Sequence, residues 1–152
     1  MIKSVDFNLE YREKGERKNK MLTIDFISNG VIKRYDKLMG EINEISQKSD
    51  ERQELLIDIV NLRMEKPEGW KDLQKDKKNK VDEIETLIKS FHNNGHFERR
   101  FEIIKTILED NGIKDDKFLT FDFWENSVDA SSMIEFINMS IWKDLQSDKK
   151  KV

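Results

Sequence analysis

Val31, Tyr35, Leu38, Ile42 and Ile45 recur at steps of four, three, four and three. Only an α-helix brings residues at that spacing to one side, here as a narrow apolar seam of the coiled-coil kind. Ser28-Asn29-Gly30 stands where such a helix needs a cap. Further on, Ser49 and Asp50, with Gln53 three residues after Asp50, form a capping-box pattern ahead of a second stripe of Leu55, Leu56, Ile59, Val60 and Met64. Two readings stay open: a break at Gln47–Asp50, or one long helix with a stutter there. Pro67 and Gly69 end the stripe, because proline lacks an amide donor and forces the residue before it out of the α region.

Ahead of the helix, Val5, Phe7, Leu9 and Tyr11 alternate with polar residues, and Leu22, Ile24 and Phe26 repeat the pattern. A period of two is that of a strand with one wet face, so the segment predicts a β-hairpin with a long basic loop, Arg12 to Lys20, containing Gly15. A two-stranded hairpin is marginal in water, so its apolar face needs a helix or a second copy to cover it.

Beyond Gly69, a helix is expected from Trp70 to Phe91, then a turn at Asn93-Asn94-Gly95, and a helix from about His96 to Asp110 with Phe97, Phe101, Ile104 and Leu108 in line. Asn111-Gly112 ends it. After Phe118, Leu119, Phe121, Phe123 and Trp124, Asp129 caps a last helix bearing Met133, Ile134, Ile137, Ile141 and Leu145. The fold class expected is therefore mostly α: an N-terminal β-hairpin followed by a bundle of about five helices. One domain is expected over residues 1–146, with the hairpin at 1–27 and the bundle at 28–146, and a basic flexible tail over 147–152. The expected core includes Tyr35, Leu38, Ile42, Ile59, Ile84, Leu87, Phe101, Ile104 and Ile137.

Composition narrows the function classes. Charged residues reach 39% and hydrophobic ones 36%, so a small core meets a large solvated surface. With a net charge of -3 there is no global field to gather nucleic acid or anionic lipid. No cysteine is present, which removes disulfide frameworks, thiol nucleophiles and Cys-based zinc sites. The N-terminus has no apolar signal core, and no window approaches the roughly 18 apolar residues of a membrane span. A cytoplasmic protein without membrane contact is the expectation.

Catalytic patterns are wanting. His92 and His96 stand four apart, but Asn93-Asn94-Gly95 breaks the single helical face that a two-histidine metal site requires. The acidic pairs Glu41 and Glu44, Asp50 and Glu51, and Asp115 and Asp116 sit among polar residues that would not raise a carboxyl pKa. No phosphate-binding glycine loop and no nucleophile elbow occurs. We therefore expect no catalytic, cofactor or metal residues, and no enzyme.

Charge and aromatic patterning suit an interaction protein better. Residues 11–20 carry a net +3 and residues 106–136 a net −6. Such complementary stretches either meet across subunits or stay solvated surface. Phe118, Phe121, Phe123 and Trp124 are too close together for one helical stripe; they either plug the bundle or form a partner patch of the hot-spot kind. The candidate partner-binding residues are Phe121, Phe123, Trp124 and Trp142. Trp142 opens a near-copy, Trp142–Lys150, of Trp70–Lys78, in which only Lys75 and Ser147 differ.

The stretch Phe121-Asp122-Phe123-Trp124-Glu125-Asn126-Ser127-Val128-Asp129, followed by the helix of Met133-Ile134-Glu135-Phe136-Ile137, resembles the C-terminal part of tail assembly chaperones of long-tailed bacteriophages. The front is similar too, with a short β element before Ser28-Asn29-Gly30-Val31-Ile32-Lys33-Arg34-Tyr35. The resemblance implies a small, mostly helical, non-enzymatic protein of the bacterial host cytoplasm, which binds the tape-measure protein and assists tail-tube assembly. A homo-oligomer is expected alongside. The lysines at 149–151 also suit the ribosomal slippage with which many members end. Two other classes compete: a small phage or mobile-element inhibitor of a host enzyme, and a nucleic-acid-binding regulator using Arg12–Lys20 and Lys71–Lys80. The near-neutral charge disfavours nucleic acid.

Overall fold

The computed structural model describes residues 4–93 and 95–149, with backbone alone over 143–149. The chain is 72% helical, with a two-stranded antiparallel hairpin at its N-terminus. Strands β1 (Val5–Glu13) and β2 (Glu16–Ile24) are followed by α1 (Asn29–Glu65), α2 (Trp70–Asn93), α3 (His96–Asp110), a 3-10 turn (Asp116–Leu119), α4 (Phe121–Asn126) and α5 (Ala130–Lys149). The described residues fall into two compact units, 4–36 with 97–149, and 37–93 with 95–96. The end of the expected basic tail, 150–152, lies outside the described residues.

The long basic loop of the hairpin is not there. Register runs from Val5 opposite Ile24 to Glu13 opposite Glu16, leaving Lys14 and Gly15 alone as the turn. Both have positive φ, 51° and 81°, as a primed two-residue turn requires. The polar run resembled a loop because its side chains need no core, yet its backbone still completes the ladder. Phe7, Leu9, Tyr11, Leu22 and Ile24 form the buried face. Helix α5 packs against β1, and Phe7 meets Phe136 edge to face with ring centroids 5.3 Å apart. That helix supplies the cover the hairpin needs, so the hairpin face does not itself call for a second copy.

Helix α1 is single, 37 residues, about 55 Å long. Ser28 opens it: its hydroxyl accepts from the Val31 amide at 3.2 Å. Ser49 and Asp50 do not interrupt it, since polar interior residues cost only a few tenths of a kcal/mol and a break would forfeit a turn of hydrogen bonds. Lys66, at φ 47°, and Gly69, at φ 74°, flank Pro67 where the helix stops. Within residues 37–96, Leu55 and Ile59 of α1 pack with Val81 and Ile84 of α2, joined by the half-buried Leu56 and Ile88. Arg52 to Glu85 at 3.0 Å and Lys77 to Asp58 at 3.2 Å tie the same two helices at their flanks.

The expected core holds at Leu38, Ile59, Ile84, Phe101, Ile104 and Ile137. Tyr35 and Ile42 are only half-buried, and Leu87 is an outright correction, being exposed. Period alone places Leu87 next to Ile84 and Ile88, but the stripe is wider than the face α1 covers.

Candidate interaction surfaces

The short connection from α3 to α5 folds its aromatics inward. Trp124 is 1% exposed, and its indole N–H donates to the Phe118 carbonyl at 2.7 Å. Phe118 and Phe123 meet with centroids 5.1 Å apart, and Tyr11 stands against both. Phe121 turns the other way and packs edge-on against Phe97 and Phe101 while staying half-buried. So of the four candidate partner-binding residues, Phe123 and Trp124 are core, Phe121 shows part of its ring, and Trp142 is 51% exposed. Alternate ring orientations along α4 achieve what a single helical stripe cannot.

Lys117 closes this cluster at the surface. Its ammonium is ion-paired with Glu13 and sits 4.8 Å from the Tyr11 ring centroid, a cation–π distance. Glu13 also takes Lys18 at 3.0 Å. Asn111, which the sequence marks only as a helix end, is a cross-chain clamp. Its Oδ1 accepts from the Asp25 and Phe26 amides at 2.9 and 3.0 Å, while Nδ2 donates to the carbonyls of Phe26 and Ile107. No local sequence signal distinguishes this asparagine from an ordinary cap, because its partners Asp25 and Phe26 lie 86 and 85 residues away.

His92 and His96 approach with ring centroids 5.6 Å apart, beside Phe91. Among the described residues no group of three or more His, Cys, Asp or Glu is placed to hold a metal. Among the described residues, Tyr35 and Arg100 have displaced ionisation. Burial, then the neighbouring Asp36, raises the Tyr35 phenol above its ordinary value near 10, and the phenol donates to Asn138 Oδ1 at 3.1 Å. Burial lowers the Arg100 guanidinium from its ordinary value.

Comparison with protein families, curated proteins and solved structures finds no match. No helix among the described residues is long and apolar enough to cross a membrane.

Three surfaces stand out. On α1, Ile57, Val60 and Met64 are 56%, 55% and 77% exposed; spaced three and four apart, they lie on the side of the helix opposite Leu55 and Ile59. A shallow groove lined by Gln53, Leu56, Ile57, Val60 and Asn61 runs along the stripe. Asp50, Glu54 and Glu65 fall along one flank by helical spacing. The second surface is a polar hollow of about 620 Å³ between the hairpin and the α4–α5 link, lined among others by Arg12, Arg17, Asn126, Asp129 and Ser132. The third is the hairpin end itself. Every side chain from Lys14 to Met21 is exposed, and Arg12 faces Arg17 directly across the ladder.

Proposed function

We propose that this chain is a non-enzymatic binding protein of the tail-assembly-chaperone kind, which keeps an apolar helical segment of a tape-measure protein in solution in the cytoplasm of a bacterial host. The observation that carries it is the exposed stripe Ile57, Val60 and Met64 on α1. Large apolar side chains in line on a helix are an unused seam, and their three-four spacing is the period at which a second helix interlocks. Carboxylates along the flank favour an incoming helix with lysine or arginine beside its apolar seam. Trp142, also exposed, is a separate apolar side chain on α5. This reading moves the contact from the aromatic cluster to α1, because rings that hold the core together are not free to engage a partner.

The homo-oligomer expected from the sequence rests on the same stripe, since α5 already covers the hairpin. Two copies joined along α1 would be the resting state, opened by client.

Co-expression with a tape-measure fragment tests the reading. Wild type should hold the fragment in the soluble fraction, and I57D with V60D should lose it while keeping the circular dichroism of the folded chain, the melting temperature falling only by what the α1 pairing supplied. Retention of the fragment by the double variant would overturn the assignment to α1. Equal solubilisation of any apolar helix would reduce it to nonspecific adhesion.

A further inference from the structure

We infer that the outer edge of β2 is a docking site for an acidic, extended peptide segment, which joins the hairpin as a third strand. The inference follows from the turn. A two-residue loop makes Glu13 and Glu16 the closing hydrogen-bonded pair of the ladder. Alternation in an antiparallel pair then aims the amide and carbonyl groups of Arg17, Asn19 and Met21 away from β1. The opposite edge obeys the same rule: Arg12, outward on β1, donates its amide to the Ser127 carbonyl at 2.9 Å. The turn-proximal end of that edge is thereby engaged. Among the described residues no backbone hydrogen bond outside the hairpin reaches Arg17, Asn19 or Met21, and every side chain from Glu16 to Met21 is exposed. Six strand-forming groups thus face solvent in the spacing an added strand matches.

Charge selects the occupant. On β2 and its turn lie Lys14, Arg17 and Lys20, none of them in an ion pair among the described residues and together outweighing Glu16, with Arg12 facing Arg17 across the ladder, while Lys18 is held by Glu13. A second copy of β2 would bring Arg17, Lys18 and Lys20 against their own kind, and like charges across a ladder repel. Lysines on an edge strand guard against self-pairing for this reason. The same residues attract a strand in which Glu or Asp alternates with other side chains. Exposed Met21 offers that strand one apolar contact. The site lies on a different element from the α1 stripe.

The test uses the full chain and a capped nine-residue peptide alternating Glu with Val and Thr. Fluorescence anisotropy reads affinity, and amide hydrogen exchange by NMR reads the contact. Binding should slow exchange at Arg17, Asn19 and Met21 at least tenfold. The same peptide with Lys for Glu should bind at least tenfold more weakly. N19P removes one outward donor without touching the ladder to β1, a change that edge strands tolerate, and should weaken binding tenfold at unchanged melting temperature. Should N19P unfold, the acidic peptide methylated at its alternate amides supplies the same comparison with the wild-type chain. Equal binding of acidic and basic peptides, or binding without protection of these amides, would overturn the inference. Protection that grows with protein concentration in the absence of peptide would assign the edge to a second copy instead. Displacement of the acidic peptide by an oligonucleotide, with these three amides exchanging freely in the oligonucleotide complex, would assign the basic surface to nucleic acid.

Discussion

Trp124 decides between the two readings of the aromatic segment, and W124F is the sharpest probe of it. The substitution keeps an aromatic ring but deletes the N–H that donates to Phe118. The Phe118 carbonyl is left without its partner beside a fully buried ring, which costs about 1–3 kcal/mol. The smaller ring also forfeits roughly 40 Å² of buried contact, about 1 kcal/mol at the usual coefficient. W124F should therefore destabilise by about 2–4 kcal/mol, approaching the ~3–5 kcal/mol of full truncation to alanine. Urea unfolding followed by near-ultraviolet circular dichroism measures this on the aromatic cluster itself. With a slope of about 1–3 kcal/mol per molar urea, the midpoint should fall by roughly 1–2 M. W142F, on an exposed ring, should change it by less than about 0.5 kcal/mol. A loss below 0.5 kcal/mol for W124F, together with lost client binding, would refute the core role and return the ring to a partner surface.

Gly40 stands inside α1 with open space around its missing Cβ, so G40A should stabilise by about 0.5–1 kcal/mol in thermal unfolding. N111A removes four hydrogen bonds from the hairpin exit and the end of α3 and should cost about 1–3 kcal/mol, with faster amide exchange at Asp25 and Phe26. I104A, fully buried, should cost about 2–5 kcal/mol, and I42A, half-buried, less than half as much by the same denaturation assay. Because the Tyr35 phenol binds its proton more tightly in the folded chain, that stabilisation is complete below pH 10 and lost as pH climbs through the raised folded value. Spectrophotometric titration at 295 nm with Y35F as the blank should show it, and the loss of stability at high pH should shrink in Y35F.

Local pattern settled the elements that local forces govern. The seam from Val31 to Ile45, the stop at Pro67 and Gly69, and the turn at Gly95 that separates α2 from α3 could all be read from residues close in the chain, because helix caps and breakers act within one turn. The same locality explains why the alternation of Val5 to Tyr11 announced a strand with one buried face. Tertiary contact decided the rest. Whether Leu87 faced core or solvent depended on how wide a stripe α1 could cover. Arg12 to Lys20 looked like a loop because polarity reports burial, whereas the ladder that all of them but Lys14 and Gly15 complete is held by backbone groups that every residue carries. Trp124 lay within the same aromatic run whether it served the core or a partner, and only the Phe118 carbonyl and the rings of Phe123 and Phe136 around it placed it inside. Helix spacing alone could mark Ile57, Val60 and Met64 as apolar but not as uncovered, since exposure belongs to what the rest of the chain leaves open.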